Sequence, residues 1–209
     1  MYRKGIKRIL DLIAAALFLI ILSPLLLLTS LVIKITSRGP VIFKQERIGT
    51  GGKVFTIYKF RSMRVGAEHT GSGVYSEEGD DRVTPVGRFI RATSIDELPQ
   101  LINILVGDMS FIGPRPPLTY HPWTIDKYSA EQLRMFEVRP GITGWAQVHG
   151  RKCVEWNERI RMNIWYIDHL SFGLDLKIIF KTIACVFTNS DNVNTGATIS
   201  PADSSHSTD

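Results

Sequence analysis

Asp96 and Glu97 are adjacent acids at the start of an apolar-periodic segment, and Pro114-Arg115-Pro116 follows within the same stretch, Thr93 to Pro116. Such an acid pair can divide its labour: one carboxylate attacks an electrophilic phosphorus while the other holds a divalent cation. An arginine fixed between two residues of restricted φ suits a phosphate clamp, because its planar fork can pair two phosphate oxygens. A plainer reading fits the same residues. Ser94-x-x-Glu97 has the spacing of a capping box, in which Glu97 does no more than satisfy backbone N–H groups, and the prolines alone make an ordinary rigid turn. Under both readings a helix runs from Ser94 to about Leu105. In the chemical one, its N-terminus adds unpaired N–H groups and a positive dipole end to an anion facing Asp96.

An apolar segment of membrane-crossing length precedes this stretch. No charge interrupts residues 12 to 33, and 22 residues make a straight helix about 33 Å long, against a hydrocarbon core of roughly 30 Å. A single span is one reading. Ser23-Pro24 at the centre supports another, since proline removes a backbone hydrogen bond there. Arg3, Lys4, Lys7 and Arg8 before the run and Lys34 and Arg38 after it would keep both ends on one side, which only a re-entrant hairpin allows. A cleaved signal peptide fits less well, since the run is long and has no clear small-x-small site.

After Pro40, two β-rich runs flank Gly49-Thr50-Gly51-Gly52, a hairpin signature; no Gly-Lys-Ser/Thr follows, so these glycines read as turn residues rather than a phosphate loop. Residues 66 to 84, rich in Gly, Ser, Glu and Asp, read as a mobile loop. Pro85 to Arg91 predicts a short basic helix carrying Arg88 and Arg91. Ser129-x-x-Gln132 starts another helix, and residues 139 to 145 read as a glycine-bearing loop. Residues 153 to 170 are amphipathic and aromatic. In residues 174 to 187, Lys177 and Lys181 stand four apart against an apolar remainder, which fits either a helix in the headgroup plane or a core helix with one solvated edge. From Asn189 the polar composition predicts a disordered tail. There is no internal repeat.

The chain has 209 residues, enough for one domain plus an anchor, and a formal charge of +5, which favours anionic partners. Nucleic acid is disfavoured, because the basic residues are scattered rather than arrayed on one helix. Cys153 and Cys185 sit in apolar contexts without metal-like spacing and read as reduced thiols.

Six motifs in order complete the reading: Lys7-Arg8-Ile9-Leu10-Asp11, Ser23-Pro24, Ile57-Tyr58-Lys59-Phe60-Arg61-Ser62-Met63, Asp96-Glu97-Leu98-Pro99-Gln100, Gly107 through Pro116, and Arg139 through Trp145. Over residues 3 to 188 the chain resembles the bacterial sugar transferase family, the monotopic polyprenol-phosphate phosphoglycosyl transferases, and its length is similar to that of small members lacking a multi-span extension. The resemblance implies an α+β fold with three parts. Residues 1–38 form a re-entrant helix-break-helix anchor with its break at Ser23-Pro24. Residues 39–188 form a catalytic domain, with a small β-hairpin and interfacial amphipathic helices, on the cytoplasmic face of the inner membrane. Residues 189–209 are the tail.

It also implies transfer of a sugar 1-phosphate from a UDP-sugar to undecaprenyl phosphate with release of UMP, as the first membrane step of glycoconjugate biosynthesis. Asp96 would form an aspartyl phosphosugar intermediate and Glu97 would hold Mg²⁺. Arg91 and Arg115 are the first phosphate-binding candidates, then Lys59 and Arg151. Pro114, Arg115 and Pro116 resemble the family's nucleotide-binding loop, and Asp175 matches an acidic position that supports the site, or is a plain helix-start acid. Anionic membrane lipid is an expected partner, and a homodimer is compatible. A non-catalytic membrane-anchored adaptor, binding anionic lipid or a protein, would use the same anchor and charge but would not need the acid pair.

Overall fold

The computed structural model describes residues 2–70, 79–149 and 154–188. Arg151, Cys153, the tail and the centre of the 66–84 loop lie outside the described residues. Helix α1 (Lys7–Thr36) leads into an antiparallel hairpin of β1 (Ile42–Ile48) and β2 (Val54–Phe60), with Ile42 opposite Phe60 and Ile48 opposite Val54. Next come α2 (Pro85–Ala92), α3 (Gln100–Val106) and β3 (Ser110–Ile112). β4 (Gly141–Thr143), α4 (Trp145–His149), α5 (Trp156–Asp168) and α6 (Phe172–Thr188) complete the order. The mixture of helices and two small sheets agrees with the expected fold class.

Residues 139 to 145, read as loop, contain β4, which runs parallel to β3 with Ser110 beside Gly141 and Ile112 beside Thr143. Three residues are too short to show alternation, so this strand exists through its partner. Glycine permits the crossing: a Cβ on Gly141 would stand 2.1 Å from the Gly113 nitrogen, and one on Gly113 would stand 2.3 Å from the Arg139 carbonyl oxygen.

Helix α1 corrects one expectation. It continues through Ser23-Pro24 rather than breaking there. Pro24 cannot donate to the Ile20 carbonyl, but Ser23 Oγ does so at 2.8 Å, which keeps that oxygen satisfied. Three of the N-terminal cations have partners on the body. Arg3 pairs with Glu137, Lys7 with Asp175, and Arg8 donates to the Ile104 and Leu105 carbonyls at the end of α3.

Both ends of α1 rest on the same body. Ala15 packs with Ile57, Leu101, Ile104 and Met109; Ile33 packs with Phe60 and Ile90. The opposite face, including Ile13, Leu17, Ile20, Leu27, Leu28 and Leu31, is exposed. Among the described residues, α1 alone is long and apolar enough to cross a membrane. Helix α6 buries Ile178 and Asp175 against the core, as a core helix would, and its exposed side carries an apolar stripe of Phe172, Leu176, Ile179, Phe180 and Ile183.

Candidate active site

The acid pair does not open a helix. Ser94 has φ 57°, in the left-handed region, and its side chain makes no capping hydrogen bond. Asp96 and Glu97 occupy a 3₁₀ turn (Ile95–Glu97), and α3 begins only at Gln100. The capping-box reading therefore fails here, while the same arrangement forms at the other candidate: Ser129 N–H donates to Gln132 Oε1, and Gln132 N–H to Ser129 Oγ. With only seven residues in α3, the dipole contribution expected at Asp96 is small. Positive charge must come from side chains.

It does. Lys59, near the end of β2, donates to Glu97 Oε1 at 2.5 Å. Arg115 Nη1 stands 4.0 Å from the same oxygen. Arg115 is exposed while Pro114 and Pro116 on either side are buried, so the turn presents its guanidinium outward. Arg91, in the last turn of α2, acts electrostatically on Asp96. The structure thus brings together Lys59, Arg91, Asp96, Glu97 and the Pro114–Pro116 turn.

The two carboxylates differ in kind. Burial would raise the Glu97 pKa, but Lys59 and Arg115, with Arg47 behind them, outweigh it and hold the group well below the usual range. Burial pushes the Asp96 carboxyl up, to about 6, and the Glu97 charge adds to this against Lys59, Arg91 and Arg115. Asp96 makes no hydrogen bond or ion pair to any described residue. One acid is tethered and ionised; its neighbour is unpaired and already desolvated at a cost.

Two residues that the sequence reading did not select fix this geometry. Asn103, fully buried on α3, accepts from Tyr58 N–H at 3.0 Å and donates to the Thr56 carbonyl at 2.7 Å, which locks the segment bearing the acids to the strand bearing Lys59. Arg47 on β1 donates to the Pro116 carbonyl at 3.1 Å and to Gln45. A lone amide inside Leu101-Ile102-Asn103-Ile104-Leu105 was the available signal for the first. Arg47 gave none, since an arginine in a half-exposed strand is ordinary.

Asp175 lies elsewhere. Its carboxylate is saturated by Tyr2 Oη at 2.6 Å, Lys7 Nζ at 2.7 Å and Tyr166 Oη at 2.7 Å, and it makes no direct contact with the acid pair. Its role is to clasp the start of α1 to α5 and α6, with Tyr166 also reaching the Ile112 carbonyl ahead of the Pro-Arg-Pro turn.

The bacterial sugar transferase family model matches residues 2–189. The chain belongs to the bacterial sugar transferase family. This sugar transferase is 45% identical over 178 residues to the Bacillus subtilis (strain 168) protein named uncharacterized sugar transferase EpsL, with 85% of each chain covered. It is 47% identical over 190 residues to a UDP-glucose:undecaprenyl-phosphate glucose-1-phosphate transferase of Caulobacter vibrioides, covering 87% of this chain and 70% of that one. A UDP-N-acetylgalactosamine-undecaprenyl-phosphate N-acetylgalactosaminephosphotransferase of Aeromonas hydrophila is 45% identical over 186 residues, covering 88% of this chain and 44% of that protein.

Proposed function

We propose that this sugar transferase moves a sugar 1-phosphate from a UDP-sugar to undecaprenyl phosphate through a covalent intermediate on Asp96. The observation that carries the reading is the unlike acid pair: an unpaired Asp96 beside a cation-held Glu97, at the mouth of a Pro-Arg-Pro turn. An Asp96 oxygen attacks the sugar-linked phosphorus, the bond from that phosphorus to the bridging oxygen breaks, and UMP leaves with the electron pair. A terminal oxygen of undecaprenyl phosphate then attacks the same phosphorus and returns the Asp96 carboxylate, giving the undecaprenyl diphosphate sugar.

Bringing a carboxylate to within about 4 Å of one diphosphate charge costs about 4 kcal/mol at an effective dielectric near 20. Fixed cations offset that cost, and Lys59, Arg91 and Arg115 already stand there. Mg²⁺ fits the donors present. No group of three or more His, Cys, Asp or Glu residues forms a metal cage among the described residues, but Mg²⁺ is commonly held by one or two carboxylates plus substrate phosphates. Glu97, whose Oε1 faces Lys59 and Arg115, would hold it. When bound, it supplies further positive charge across the diphosphate.

The membrane assignment is part of the same proposal. Helix α1 enters and returns to one leaflet, bent at Pro24 rather than broken, and the body lies on the cytoplasmic face of the inner membrane. Support comes from both ends of α1 resting on one body and from the exposed apolar faces of α1 and α6. Lys177 and Lys181 lean over the Trp145 ring beside the α6 stripe, where they can meet anionic headgroups.

The test is nucleotide release by nanodisc-held protein supplied with Mg²⁺, undecaprenyl phosphate and UDP-glucose or UDP-N-acetylgalactosamine in turn. UMP is the expected product, and Asp96→Asn should lower its release at least 1,000-fold. Release of UDP in its place would overturn the reaction, and full UMP release by Asp96→Asn would overturn the covalent route.

A further inference from the structure

Arg47 stands directly behind the Pro-Arg-Pro turn. One Nη donates to the Pro116 carbonyl at 3.1 Å, the other to Gln45 Oε1 at 2.6 Å, and Nε is buried without a hydrogen-bond partner among the described residues. The next residue continues the tie, since Ile48 N–H donates to the Pro117 carbonyl and Arg47 forms a bridge to Leu118. A small cavity lies under the turn, lined by Ile48 and Gly49 as well as by Met135, Phe136 and Val138. The Gly141 N–H holds the Pro114 carbonyl at the start of the turn, and the polar ties from β1 hold its end at Pro116 and Pro117.

Charge gives the arrangement a purpose. Four cations, Lys59, Arg91, Arg115 and Arg47, act on two carboxylates. Arg47 and Arg115 raise each other's electrostatic cost, and burial with this repulsion lowers the Arg47 pKa to about 10. Arg47 is held on two sides and cannot retreat, whereas Arg115 is about half exposed and can. Repulsion from Arg47 disfavours the Arg115 guanidinium at the base of the turn, and Glu97, 4.0 Å away, attracts it at the open face. Such a site has its donors displayed, and excess positive charge in place, before an anion arrives.

We infer that Arg47 is a positioning residue for the donor diphosphate, acting through the Pro114–Pro116 turn and Arg115 rather than by touching substrate. This deepens the proposed function and rests on it. It also sets a limit on substitution: lysine restores the charge but not the two-armed hold on Pro116 and Gln45.

The experiment measures UDP binding to nanodisc-held wild type, Arg47→Lys, Arg47→Gln, Arg115→Gln and the Arg47→Gln/Arg115→Gln double variant, with melting temperatures as the folding control. Arg47→Gln should weaken UDP binding at least 10-fold and Arg47→Lys about 3- to 10-fold, with uridine binding changed less than 2-fold. In turnover the loss should fall on KM for the UDP-sugar, with kcat within about 3-fold. The double variant should bind UDP no more weakly than Arg115→Gln alone, because the first residue acts through the second. Should Arg47→Gln not fold, the lysine variant and its combination with Arg115→Gln carry the same comparison. UDP affinities equal to wild type in folded variants, losses that add fully to those of Arg115→Gln, or equal losses for uridine overturn the inference alone. A folded wild type that binds no UDP overturns the proposed function together with it.

Discussion

Asp96 pays for its availability in stability. Its folded-state pKa, about 6, lies above the ordinary 3.8, so the folded chain holds the proton more tightly than the unfolded one. Folding is therefore unaffected by this group below about pH 3.5, loses stability as pH rises between the two values, and keeps the full loss above the upper one. Asp96→Asn removes the charge. In metal-free buffer it should stabilise the protein by about 1–2 kcal/mol at pH 8, allowing for partial exposure, and by nothing at pH 3.5. Thermal melts at the two pH values check this, and a gain of equal size at both would refute it. Asp175 behaves in the opposite way. Removing a buried carboxylate that receives Lys7 and two tyrosines leaves an uncompensated ammonium and two hydroxyls, so Asp175→Ala should cost about 3–5 kcal/mol in urea unfolding. A loss below about 1 kcal/mol would show that the clasp contributes little.

At the scale of elements, the site depends on how a seven-residue helix is attached to a strand. Asn103 satisfies one N–H and one carbonyl of β2, and no other residue links α3 to β2 by side-chain hydrogen bonds among the described contacts. Asn103→Leu keeps an apolar helix but orphans both backbone groups. It should cost about 2 kcal/mol or more and lower turnover by loosening Lys59 from Glu97. Chemical denaturation and UMP release measured on the same preparation test this, and unchanged turnover in a destabilised variant would separate the tie from the chemistry. Helix α1 shows the same economy: Ser23 Oγ takes over the carbonyl that Pro24 leaves unpaired, and the helix continues through a proline at the centre of its apolar run.

For the whole molecule, the decisive feature is that one body holds both ends of α1, through Arg8 and Asp11 near its start and Ile33 near its end. A helix crossing the bilayer could not keep both sets of contacts with a body on one side. In a background with Cys153 and Cys185 replaced by serine, Lys4→Cys and Arg38→Cys should both label from the cytoplasmic side of inverted vesicles. Labelling from opposite sides would establish a span and require those contacts to break.

Patterning in the sequence specified what depends on local chemistry: the apolar run, the hairpin around Gly49–Gly52, the basic helix at Pro85, the adjacent acids and the arginine between prolines. These are legible because periodicity, turn residues and charge act over a few neighbours. Tertiary structure decided the rest. It denied Ser94 the cap its spacing offered and made a three-residue strand of Gly141–Thr143 by supplying a partner. It also sent Asp175 to Lys7 rather than to the acids, and placed Asn103 and Arg47 behind the site. Each of those outcomes joins residues far apart in the chain, where the energy belongs to a contact and neither residue alone announces it.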